Sequence, residues 1–329
     1  MEILATLFFG FAPMFLFAAI LYWLDHYEKE PLLLLGAVFG WGMLVAAGGS
    51  YILNTAFGIG VYAITGDPTL TDITTASISA PLVEEGLKGL AVLLVFLIFR
   101  REFDSLLDGI IYAGITALGF AATENCLYIW RGYESGGWDG LFTLVFIRVI
   151  LVGWQHPFYT AFTGMGLAIS RNSRSCLVQI FAPLAGWGMA MFAHGLHNFL
   201  ASVPFLGDLT CLLGTFLDWT GVFFMFIIIL WAGWAEGNNI ARQLREEAQM
   251  GLISPAQYRT ASSSFYRWIA SLAALFNGNY FATTRFYQVC GELAHKKRQL
   301  LNVGDEGGNS LIIQRYRDEL ARLAPKAQF

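Results

Sequence analysis

Charge is the scarcest property of this sequence. Of 329 residues only 13% are Asp, Glu, Lys or Arg, about half the share of an ordinary soluble domain. That excludes a soluble protein with a large core. The formal net charge of −4 gives no basic footprint for a nucleic-acid partner. Cysteine is scarce too: Cys126, Cys176, Cys211 and Cys290 are widely spaced, and there is no CxxC. Neither a disulfide framework nor a cysteine-type zinc site is indicated; a free Cys in an apolar stretch behaves as a small hydrophobe. The chain has no HExxH, so the usual zincin pattern is absent. It also has no GxSxG or GxGD-like pair for a serine or aspartyl intramembrane protease. The first apolar run lacks a basic n-region and a small-residue cleavage site, and it reads as a retained helix, not a signal peptide.

What is present is hydrophobicity: 56% apolar residues and a mean hydropathy of +0.55. Runs of about 20 residues, long enough to span a bilayer, fall at 3–24, 31–57, 75–99, 106–130, 141–170, 176–202 and 206–233. The expected fold is an all-α polytopic membrane protein with about seven transmembrane helices. The first loop carries Lys29, the third Arg100 and Arg101, and the fifth Arg171 and Arg174, whereas the second and sixth carry no Lys or Arg. Positive loops mark the cytoplasmic side, so the N-terminus is expected outside and the C-terminus inside.

Composition changes after Trp234. The expected division is a transmembrane core over 1–234 and a small helical cytoplasmic region over 235–329. There, Ser254 followed by Pro255 reads as a helix start. Further helices are expected over Ala282 to Leu301 and near Ser310 to Leu323, with "NVGDEGG" as the break. A packed helical hairpin is the simpler arrangement. Phe265, Tyr266, Trp268 and Phe276 beside Arg267 also suit a helix lying partly on a membrane.

Against this apolar background a few residues stand out. "SAPLVEEGLKGLAVLLVFLIF", Ser79 to Phe99, carries Glu84, Glu85 and Lys88 inside a spanning run. A charge at mid-bilayer costs roughly 2.5 kcal/mol or more. Glu84 or Glu85 can pair with Lys88 along one helix face, which leaves one carboxylate over. Other runs contribute Glu124 with Asn125, Arg148 with His156, and His194 with His197 and Asn198, while His26 and His295 sit in polar context. At 1.5 Å per residue, Glu84, Glu124, His156 and His194 fall within roughly 10 Å of one depth. Convergent carboxylates and imidazoles suit a divalent metal, with zinc expected. A metal that activates water, beside a carboxylate base, gives peptide hydrolysis. His194 and Asn198 share a face, with His197 as a competing ligand. Arg148 can bind a substrate carboxylate or oxyanion, or pair with Glu85 or Glu124.

Two other readings stay open. Intramembrane Glu and His also mark ion or proton pathways, although no two matched halves are found. A non-catalytic interaction protein would have to carry two adjacent membrane carboxylates without chemistry. Gly36 and Gly40 form a GxxxG, and Gly186 and Gly188 precede His194. Close helix packing is expected at all four, bringing the sixth helix toward the third.

The residues resemble the PrsW-type intramembrane proteases, relatives of the CAAX prenyl endopeptidases and Abi-type proteins. The likeness rests on "EEGLK" (Glu84 to Lys88), "FAATEN" (Phe120 to Asn125), "QHPFYTAFTG" with His156, and "HGLHNFL" (His194 to Leu200). "DGIIYAGITALGFAATEN", from Asp108 to Asn125, is the most specific block, and the likeness covers roughly residues 1–233. The resemblance implies a metal-dependent protease cutting a membrane-bound, single-pass substrate of anti-sigma-factor type in a bacterial cytoplasmic membrane. By resemblance Glu84 is the base that activates water, Glu85 its partner and His194 a ligand with Asn198 beside it. The prenyl endopeptidases have His where this chain has Glu124. The expected metal set is Glu124, His156 and His194, supported by Asn198 or His197.

Overall fold

The computed structural model describes residues 1–25, 27, 29–202, 208–305 and 307–327. His26 and the side chain of Cys211 therefore lie outside the described residues. Every regular element among the described residues is helical. The chain divides into two compact units, Met1–Trp23 with Glu30–Ile227, and Leu24–Lys29 with Ile228–Phe329.

Among the described residues, five stretches are long and apolar enough to cross a membrane: Glu2–Leu24 (α1), Leu32–Thr65 (α2), Leu106–Asn172, Cys176–Ser202 and Leu212–Gln243. The third of these is not one rod. It contains a helix Leu106–Val145 (α5), a π segment Phe146–Leu151 and a helix Gln155–Asn172 (α6). Helix α5 itself breaks at Gly137, where φ is +60° and ψ is −142°, a conformation open to glycine alone. Gly132 and Gly140, on either side, meet backbone to backbone. The stretch thus folds back on itself. Short helix Pro68–Thr74 (α3) leads through a π segment, Thr75–Ser79, into Ala80–Ile98 (α4). Helix α4 is absent from the five because it carries Glu84, Glu85 and Lys88. Helices Cys176–Ser202 (α7) and Asp208–Gln243 (α8) follow. The last turns of α8 belong to the second unit.

Helix α5 forms the centre of the first unit. It is buried without a break from Leu107 to Ala122, as a helix enclosed on all sides must be to read apolar all round. Glycines let its neighbours approach. A Cβ at Gly119 would collide with the Phe39 carbonyl, one at Gly42 with the Thr116 carbonyl, and one at Gly109 with the Gly164 carbonyl.

The expected glycine contacts need correction. Among the described residues, positions Gly36, Gly40 and Gly188 have no neighbour within 4 Å where a Cβ would stand. The buried stripe of α2 is Leu35, Val38, Phe39, Gly42 and Ala46, and Gly36 and Gly40 lie one step round the helix from it. Gly186 does pack closely, but on Gly166 of α6. The glycine of α7 that approaches the Glu84 segment is Gly195, against the Ser77 carbonyl and Pro81.

The second unit holds helices Arg245–Gln249 (α9), Pro255–Ala261 (α10), Ser264–Phe276 (α11), Tyr280–Val303 (α12) and Asn309–Leu323 (α13). Ser254 caps α10 reciprocally with Gln257, at 3.1 and 2.9 Å. Ile240, Leu244, Phe286, Val289, Leu293 and Leu320 build the core. Cys290 is buried there, and burial pushes its thiol up to about 12, which leaves it unreactive.

A buried carboxylate and imidazole site

Two breaks in helical pairing position the polar residues. In the π segment before α4, the Ala80 N–H goes to the Thr75 carbonyl. The next residue that could bond the Ala76 carbonyl is Pro81, which has no N–H. Asn198 of α7 supplies the missing donor, its amide reaching the Ala76 oxygen at 2.8 Å. That bond pins α7 to the start of α4, and His194, one turn earlier in α7, arrives beside Glu84 and Glu85. The second break follows the π segment Phe146–Leu151, where Val152 leaves helical geometry. Helix α6 restarts at Gln155, with His156 and Pro157 in its first turn, where proline is tolerated. π turns commonly mark functional positions in helices.

The side chains converge. His194 Nδ1 lies 2.9 Å from Glu85 Oε1, and His194 Nε2 lies 3.8 Å from Glu84 Oε2. Glu85 is saturated: Lys88 Nζ stands 2.5 Å from Oε1 and the Thr160 hydroxyl donates to Oε2 at 2.8 Å. Both Glu85 and Lys88 have no exposed surface. His156 Nε2 lies 2.9 Å from Glu124 Oε2, and Arg148 Nη2 pairs with the same oxygen. Arg148 also donates to Asn125 Oδ1 at 3.2 Å and covers the Tyr128 ring. The rings of His156 and His194 meet edge to face, 5.3 Å between centroids.

Glu84 differs from its neighbours. Among the described residues, its Oε1 accepts a long bond from Asn54 at 3.5 Å, and its buried Oε2 has no hydrogen-bond partner. One ligand atom each from Glu84, His156 and His194 lies within 4.8 Å of the other two, and all three residues are buried. Two imidazoles and a carboxylate are a donor set of catalytic zinc sites. Each imidazole is already oriented through a ring nitrogen by a second carboxylate, Glu85 or Glu124, as metal-ligating histidines usually are. The residues fit a divalent ion.

The structure thus brings Glu84, Glu85, Glu124, Arg148, His156 and His194 into one cluster, in which Glu124 and Arg148 are half-buried and the others buried. Asn198 is spent on the Ala76 carbonyl. His197 turns to Asp218, with Nδ1 2.5 Å from Oδ2. Asp218 is not among the site residues expected from the sequence. It accepts from the Tyr159 hydroxyl at 2.8 Å and from the Gln155 amide at 2.5 Å, and the Tyr159 ring stacks on His194. A lone Asp in "GTFLDWTG" was the available signal. Thr160 and Asn54 were missed as well; nothing in their local sequence separates them from ordinary helix polar residues.

Comparison with known proteins bears directly on this cluster. A family model described as "PrsW family intramembrane metalloprotease" matches residues 30–232, a span that includes every residue of the cluster. The chain is 27% identical over 191 residues to a "Protease PrsW" of Geobacillus kaustophilus (strain HTA426), covering 58% of this chain and 77% of that protein. It is 49% identical over 57 residues to a "Protease PrsW" of Clostridioides difficile (strain 630), 17% of this chain and 24% of that one. No solved structure matches.

Proposed function

The chain belongs to the PrsW family of intramembrane metalloproteases, and on that footing we propose a zinc endopeptidase that cuts a single-pass membrane protein. The resemblance in its motifs points to a substrate of anti-sigma-factor type. The setting is a bacterial cytoplasmic membrane, crossed seven times. Helix α4 and the folded-back stretch Leu106–Asn172 supply the two crossings beyond the five apolar stretches. The loop charges favour an external N-terminus and a cytoplasmic C-terminus.

The observation that carries the site assignment is the unpartnered Glu84 oxygen facing two oriented imidazoles. Glu84, His156 and His194 would hold the ion. When bound, a divalent ion there polarises a peptide carbonyl and makes water a nucleophile near neutral pH. Glu85 fixes the His194 ring, with its own charge matched by Lys88. Glu124 accepts the proton of the attacking water and returns it to the leaving amine. Once protonated, Glu124 no longer neutralises Arg148, and that guanidinium is available to the developing oxyanion. This assignment exchanges the roles that the sequence reading gives Glu84 and Glu124. Asn198 and His197 have structural partners and a supporting role.

The test is cleavage of a single-pass reporter by the protein in proteoliposomes. Chelation should stop cleavage, zinc should restore it, and His194→Ala should be inactive. Cleavage that survives both chelation and His194→Ala would overturn the mechanism.

A further inference from the structure

Helix α11 is built inside out for a soluble packing element. Its buried stripe is Arg267, Ala270 and Ala274, small residues around one cation. The opposite stripe is Phe265, Trp268, Ile269, Leu272, Leu275 and Phe276, all exposed, with Phe276 at 86%. Phe281, just beyond, is 87% exposed. None of these side chains enters the core of the second unit. A packed hairpin would turn them inward, because burying each large apolar side chain is worth roughly 1.5–3 kcal/mol.

The contacts of α11 within its own unit tie it to the ends of spanning helices. Both Arg267 guanidinium nitrogens Nη1 and Nη2 donate to the Tyr27 carbonyl, at 3.4 and 3.3 Å. The same guanidinium stands over the Tyr27 ring, and the Ser264 N–H donates to the Tyr27 hydroxyl at 3.1 Å. Gly237 of α8 admits that hydroxyl and the Ser262 carbonyl, which a Cβ would meet at 2.5 and 2.8 Å. Tyr27 follows closely on Leu24, the last residue of α1, and cannot lie more than about 10 Å from it along an extended chain. Helix α2 begins at Leu32, on the other side of Tyr27. Gly237 follows Trp234 in α8. The start of α11 is therefore held at the level where spanning helices leave the bilayer.

We propose that the exposed aromatic face of α11, continued by Phe281, lies in the lipid headgroup boundary of the same membrane. Tryptophan, phenylalanine and leucine on one face of a short amphipathic helix are the composition that binds there. The occupant is the bilayer surface: the helix that carries the face is anchored at its edge.

The test uses the full chain in nanodiscs of phosphatidylethanolamine and phosphatidylglycerol, with native cysteines replaced by alanine. An environment-sensitive nitrobenzoxadiazole dye is placed at Phe276→Cys or Phe281→Cys. Leu33→Cys on α2 serves as the membrane reference and Arg315→Cys on α13 as the aqueous one. A lipid carrying a nitroxide at acyl carbon 5 should quench the dye at 276 and 281 at least half as strongly as at 33, and leave 315 unchanged. In the unmodified chain, a photoactivatable lipid should crosslink within residues 264–281. No quenching at 276 and 281, with 33 quenched, overturns the proposal. Aqueous iodide then tells a bare face from one covered by protein.

Discussion

Each unit buries an ionic cluster, and the two clusters are finished differently. In the second unit, Glu247 has no exposed surface. Both its oxygens are taken, by Lys297 at 2.9 and 2.8 Å and by Arg317 at 2.7 Å. In the first unit, Glu85 is just as buried and just as satisfied by Lys88, His194 and Thr160. The difference is one residue away: Glu84 is buried with an oxygen that has no hydrogen-bond partner among the described residues. Buried polar groups left unpaired cost roughly 1–3 kcal/mol each, more when charged. A saturated cluster is a folding element. A cluster with one open acceptor between imidazoles has room in its bonding for a ligand, and α4 carries one residue of each kind side by side.

Substitutions can break that contrast. The largest effect is expected at Glu124. Glu124→Gln should lower kcat by about 10²–10⁴, the range for loss of a general base, while metal affinity falls by no more than the roughly 10–100-fold expected for loss of the carboxylate beside His156. Abolition of metal binding along with activity would make Glu124 a ligand. In the second unit, Glu247→Gln should lower stability by about 3 kcal/mol, because Lys297 and Arg317 lose a buried partner, with metal content intact. Thermal unfolding followed beside metal analysis checks both halves. Glu85→Gln acts within the first unit. It removes the partner of His194 and not a ligand, so metal affinity should fall about 10–100-fold in a competition titration, without abolition. The smallest effect is expected at Asp218, which acts through Tyr159 on the His194 ring. Asp218→Asn should reduce kcat/KM about fivefold, equivalent to roughly 1 kcal/mol for one weakened buried hydrogen bond.

The site residues were legible because a charge or an imidazole inside an apolar run is conspicuous and costly. Helical rise turned their positions into a common depth, and Glu84, Glu124, His156 and His194 do meet. Depth says nothing of lateral order, however. Which carboxylate faces Lys88 and which faces Arg148 depends on how α4, α5 and α6 pack round one another. That is why the sequence leaves the Arg148 partner open, and why the roles proposed for Glu84 and Glu124 differ from those the resemblance implies. The same limit applies to Gly36 and Gly40: spacing identifies a small stripe but not whether a neighbour stands opposite it. The use of Asn198 was hidden because it depends on a π turn. Pro81 was the only local clue that a carbonyl one turn earlier would need an outside donor. In the second unit, the aromatic residues of α11 were visible, but their direction follows from Arg267 reaching Tyr27 across most of the chain.

If Glu84 is a metal ligand and not the base, its loss must empty the site. The measurement is bound zinc per chain, by elemental analysis of protein purified without chelators, for the native chain and for Glu84→Gln. About one zinc in the native chain and almost none in Glu84→Gln, which remains folded, is the predicted result. A full equivalent of zinc in an inactive Glu84→Gln variant would contradict it and return Glu84 to the role of base.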